Sequence, residues 1–169
     1  LQGIGYAGWF AAAQAEADAD GRVMRASVRY VGEIEQPISP EALTAARALE
    51  ASSCHDPRAL RYVARYLLNS SYHRNLGIRL MERAVRAAEG ADPLTELAYG
   101  TKELEDTRRD LERELRTMPI HYALAGMSAQ AEQAVDRLLA GLPPPGGNER
   151  GVRFSDTHYV AGRVYDIVT

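Results

Sequence analysis

Lysine is almost missing from this chain: Lys102 is the single lysine among 20 basic residues. Cysteine is equally scarce. Cys54 stands alone, so no internal disulfide can form and the redox compartment is left open. Aromatic residues make up 7% of the sequence, with one tryptophan and two phenylalanines. No run approaches the ~20 apolar residues that a membrane-spanning helix requires, which leaves peripheral association with a membrane complex as the membrane role still open to a helical chain. An excess of one charge is also lacking. The formal net charge is -3. Residues 1–38 hold three Arg against five acids, residues 39–142 fourteen basic against fifteen acidic, and residues 143–169 three of each. With no polycationic segment, the sequence carries no strong signal for binding a nucleic-acid backbone.

What is present is helical punctuation. The 169 residues suit one domain and can bury a core without disulfides or metal. Ser39-Pro40-Glu41 combines a capping hydroxyl, a proline for the first helical position and an acid at the positive end of the helix dipole. A helix is predicted from there to about Ser53. Asp56-Pro57 and Asp92-Pro93 repeat the signal. The second helix turns Leu60, Val63 and Leu67 inward, and Asn69-Ser70-Ser71 breaks it. A third runs over about 72–89, to Gly90. The helix after Pro93 has the clearest pattern: Leu97, Thr101, Leu104, Arg108, Leu111, Leu115 and Met118 recur in steps of four and three. Glu105–Arg109 and Glu112–Arg116 are spaced as i,i+4 pairs. Pro119 is expected to end this helix, and Ser128 to start the last one, with Val135, Leu138, Leu139 and Leu142 inward.

The flanks read differently. Arg22 to Glu33 alternates like a half-buried strand, after an Ala-rich helix near the N-terminus. Pro143-Pro144-Pro145-Gly146-Gly147 forms a linker, and Val152–Val168 is rich in Val, Tyr and Phe, as short strands are. The expected fold is therefore mainly α: an irregular bundle of about five helices over 39–142. An N-terminal arm of helix plus strand (1–38) and a linker with a C-terminal β-like arm (143–169) flank it.

Chemical motifs are thin. Gly3-x-Gly5-x-x-Gly8 has the letters of a dinucleotide fingerprint but lacks the preceding strand and following parallel sheet. Cys54-His55-Asp56 puts three potential metal ligands side by side, without the separated spacing of zinc sites, and Asp56 is already explained as a helix cap. Ser155, Asp156 and His158 lie within four residues and lack a nucleophile elbow. Glu103, Glu105, Asp106, Asp110, Glu112 and Glu114 alternate with arginines and read as a solvated helix face. No catalytic residue, cofactor or metal ligand is assigned on these grounds.

Two local resemblances bear on function. Arg116 and His121, followed by Tyr122, resemble the Arg-x4-His signature of the helical HEPN ribonucleases, which implies His as acid or base and Arg as phosphate holder. Asn75-Leu76-Gly77, with the 36-residue spacing of the two Asp-Pro starts, is similar to part of a tetratricopeptide repeat, which implies a peptide-binding groove. The leading expectation is a third one: a soluble, non-catalytic structural subunit that holds other protein subunits in a larger assembly. Its partner-binding face is predicted at Arg61, Tyr62, Arg65, Tyr66, Tyr72 and Arg74, because arginine and tyrosine are favoured at interfaces. The arms would reach neighbours. Leu1 in place of an initiator methionine is what a processed organellar or exported protein, or a trimmed one, would show.

Overall fold

The computed structural model describes residues 31–32, 35–90, 101–141 and 148–169. The described residues form six helices: α1 (Pro40–Ala51), α2 (Pro57–Leu68), α3 (Arg74–Glu89), α4 (Thr101–Leu124), α5 (Ser128–Ala140) and α6 (Asn148–Val168). No strand occurs among them. The expected β-like N-terminal arm falls almost wholly outside the described residues, as do the Asp92-Pro93 start and the Gly3/Gly5/Gly8 motif.

Two helix starts form as their sequences dictate. Ser39 Oγ accepts from the Ala42 amide at 3.1 Å. Asp56 Oδ1 accepts from the amides of Arg58 (3.0 Å) and Ala59 (3.2 Å). Each satisfies amides that have no partner inside the helix. At the other end of α1, the Arg83 guanidinium of α3 donates to the carbonyls of Leu49, Glu50 and Ser52. A cation thereby ties the negative end of α1 to α3.

Helices α2 and α3 pack as an antiparallel hairpin, and α4 serves both halves of the molecule. On one side it closes a core of Leu49, Leu60, Val63, Leu67, Leu80 and Met81 through its own Leu111 and Met118. On the other, Ile120 and Ala123 pack with Ala131 of α5 and Val160 and Val164 of α6. Pro119 sits inside α4 and does not end it, which corrects the sequence expectation. The proline removes the bond to the Leu115 carbonyl, a cost of about 3 kcal/mol in a helix interior. The buried Ile120 and Ala123 just beyond it offset that cost by filling the second core.

The C-terminal segment is also corrected. Residues 148–168 are helical, not β-like. Thr157, Val160 and Val164 are buried and Ile167 is half-buried, a 3-4-3 spacing that makes one helical stripe. Packing on α4 and α5 overrides the β preference of Val and Tyr. Backbone groups within the helix are satisfied, so this segment does not need a neighbour's strand.

Residues 35–39, outside any helix, cross the α2–α3 turn. The Gln36 amide donates to the Asn69 carbonyl at 2.7 Å. Glu35 accepts from the Ser71 amide and hydroxyl at 2.9 and 3.1 Å. Nearer the N-terminus, Arg163 of α6 donates to the Val31 carbonyl at 2.5 Å. Gly32 turns there at φ +76°, and a Cβ would lie 2.3 Å from Leu124 Cδ1.

Gly77 sets how closely α2 and α3 approach. A Cβ at this position would lie 2.8 Å from the Leu68 nitrogen and 3.1 Å from the Ala64 oxygen, both backbone atoms that cannot rotate away. Gly77→Ala is therefore expected to destabilise by about 2 kcal/mol in denaturant unfolding, although alanine favours helix. Gly162→Ala, where nothing lies within 4 Å, is expected to stabilise by about 0.5–1 kcal/mol.

Candidate functional site

Polar chemistry concentrates where α2 faces α4. Arg58, Arg61, Tyr62 and Arg65 recur at helical spacing on one helix, and Asp106, Thr107, Asp110 and Glu114 on the other. Arg61 Nη2 lies 3.0 Å from Glu114 Oε1, and Arg65 Nε lies 2.9 Å from the same oxygen. Arg61 Nη1 stands 3.8 Å from Asp110 Oδ2. One carboxylate thus holds two guanidiniums across the helix interface. Arg61 is 8% exposed, and its Nε has no hydrogen-bond partner. Its Cζ lies 5.5 Å from the Tyr62 ring centroid, within cation–π range.

A cleft of about 220 Å³ opens beside this cluster, lined by Arg58, Arg61, Tyr62, Asp106, Thr107 and Asp110. A smaller cavity of about 80 Å³ lies on the other side of the Arg65–Glu114 pair, against Val31, Asn69, Thr117 and His121. His121 is buried, and its Nδ1 has no hydrogen-bond partner. Burial, with the positive charges of Arg74 and Arg163, pushes its pKa from the usual 6.5 down to about 3. The ring is therefore neutral near pH 7. The adjacent Tyr122 hydroxyl donates to Glu82 Oε1 at 2.7 Å, and burial together with that bond lifts the phenol well above its ordinary pKa.

The six residues expected to form one binding face separate. Arg61 and Arg65 face α4, and Tyr62 lines the cleft. The Tyr66 hydroxyl donates to the Pro37 carbonyl at 3.3 Å. Arg74 is buried and donates through Nε to the Leu68 carbonyl at 3.2 Å, and burial lowers its pKa. Tyr72 alone projects outward, 90% exposed.

Glu114, which the sequence pattern places on a solvated face, is instead largely buried between Arg61 and Arg65. Its signal was positional: it lies three residues after Leu111 and four before Met118, both buried. Thr107 has the same relation to Leu104 and Leu111. The surface pairs also differ from expectation. Arg109 takes Asp106 at 3.2 Å and Arg113 takes Asp110 at 3.3 Å, both i,i+3.

Among the described residues, no three His, Cys, Asp or Glu side chains converge as metal ligands would. Cys54 is half-buried and unbridged, with Asp56 capping α2 beside it. Ser155, Asp156 and His158 all lie on one helix, α6. No described helix is long and apolar enough to cross a membrane. No protein-family model, curated protein or solved structure matches this chain.

Proposed function

We propose that this protein is a non-catalytic helical subunit that holds a neighbouring protein in a larger assembly, with the α2–α3 turn as its contact point. Tyr72 carries this reading. A large aromatic side chain is 90% exposed on a turn whose backbone is fixed on both sides. The Ser70 amide donates to Leu67, the His73 amide donates to Ser70, and Glu35 grips Ser71. A rigid exposed tyrosine offers contact area at small entropic cost. At the α2–α4 junction, the pairing of Glu114 with Arg61 and Arg65 acts within the fold: it aligns the helices that present the turn.

The ribonuclease reading has weaker support. Arg116 and His121 stand roughly 140° apart around α4, at about 100° per residue. His121 is buried and titrates near 3, far from the pH at which a general acid or base works well. A repeat module would stack helices of like length. The described helices have 12, 12, 16, 24, 13 and 21 residues, and α4 is shared between two cores.

The test places a photo-crosslinking amino acid at position 72 of the full chain in its native source. Discrete heteromeric adducts from position 72, and none from the exposed Arg47 on α1, are the expected outcome. Position 72 yielding no discrete adduct, with the protein running as a monomer, would overturn the proposal.

A further inference from the structure

We propose that the cleft between α2 and α4 binds a free α-amino acid with a planar side chain, its carboxylate toward α2 and its ammonium toward α4. The cleft, about 220 Å³, falls below the roughly 300–1,000 Å³ typical of drug-sized sites and suits a single small metabolite. Its walls carry opposite charge. Arg58 and Arg61 line the α2 side, and Asp106 and Asp110 the α4 side. The four formal charges sum to zero, so a ligand with one charge is drawn to one wall and repelled by the other. A zwitterion laid across the gap meets both attractively.

Four further features support this ligand class. Arg61 is almost fully buried and held in place by Glu114, so the cationic wall is pre-organised, and its Nε is without a partner. Asp106 and Asp110 are each held by the arginine of their own helix through Oδ1; Asp110 Oδ2 lies 3.8 Å from Arg61 Nη1, so the ammonium is received chiefly at Asp106. The Tyr62 ring lines the same cleft and supplies a flat apolar surface. The Thr107 side chain adds a hydroxyl on the α4 wall.

The experiment is an amide NMR titration of the full chain with three probes that share one ring: L-phenylalanine, 3-phenylpropionate (anion only) and 2-phenylethylamine (cation only). Saturable shifts around Arg58, Tyr62, Thr107 and Asp110 are expected with L-phenylalanine. Both singly charged analogues should bind at least about tenfold more weakly. Asp106→Asn and Arg58→Gln, both at exposed positions, should each weaken L-phenylalanine about fivefold or more while leaving the spectrum otherwise folded. The proposal is overturned if L-phenylalanine gives no saturable shift up to about 10 mM, weaker than ordinary specific binding. It is equally overturned if an analogue matches L-phenylalanine, or if neither substitution weakens it.

Discussion

Replacing Glu114 with alanine is expected to destabilise the protein by about 3 kcal/mol, read as a lowered denaturant midpoint at unchanged slope. The size follows from what remains behind. Glu114 is 15% exposed and holds Arg61 and Arg65, whose side chains are 10% and 22% exposed. Without it Arg61 stays buried with only Asp110 near, at 3.8 Å. An uncompensated buried charge costs about 3–5 kcal/mol, and the partial exposure of Arg65 argues for the lower end. The paired replacement separates this cost from the worth of the ion pair itself. Arg61→Leu with Glu114→Leu removes both charges, and stability should return to within about 1 kcal/mol of the parent, because desolvation cancels most of a buried pair's attraction. By contrast, Asp106→Ala breaks only an exposed i,i+3 pair and should change stability by less than about 0.5 kcal/mol. A loss equally small for Glu114→Ala would mean that the guanidiniums reach water in solution.

The same junction marks where the sequence was legible and where it was not. Helix starts at Ser39-Pro40 and Asp56-Pro57 could be read because capping is local: the side chain, the proline and the amides it satisfies lie within four residues. The mainly helical fold followed from such signals and from apolar spacing. The face of α4 could not be read as easily, because two stripes share its 3-4 rhythm. Apolarity selects Leu104, Arg108, Leu111, Leu115 and Met118. The folded helix instead buries Leu104, Thr107, Leu111 and Met118, with Glu114 half-buried and Leu115 outside. Arg61 and Arg65 on α2 decide between them, since they require a carboxylate opposite, and that requirement is visible only once α2 and α4 are side by side. The tail failed for a related reason. Val160, Val164 and Ile167 carry strand-favouring side chains at helical spacing, and the surface of α4 and α5 decides which property wins. The cleft is less legible still, because Arg58 and Asp106 are 48 positions apart in the chain.

Acidification from pH 7 to 4 is expected to remove about 3 kcal/mol of stability through His121 alone. In the unfolded chain this imidazole takes up a proton near its ordinary 6.5, whereas in the native protein it does so only near 3. Between those values the unfolded state binds more protons, so its share of stability is complete above about 6.5 and falls as the pH drops toward 3. The slope approaches 1.4 kcal/mol per pH unit for one group. The cause is geometric. A charged ring would sit in the interior with Arg74 and Arg163 acting on it, while the nearest carboxylate lining the adjoining cavity, Glu114, is already committed to two arginines. Carboxylates add their own losses lower down, near and below their ordinary pKa of about 4, so the interval from 6.5 to 5 is where His121 is best isolated. His121→Leu is the decisive variant. It keeps an apolar volume beside Ile120 and removes the ring whose Nδ1 lacks a partner, so stability at pH 7 should change by less than about 1.5 kcal/mol. In unfolding series at pH 6.5, 6, 5.5 and 5, the parent should lose stability more steeply than the variant. Parallel curves would mean that native His121 accepts its proton as readily as the unfolded chain does, with water reaching the ring through the adjoining cavity beside Val31.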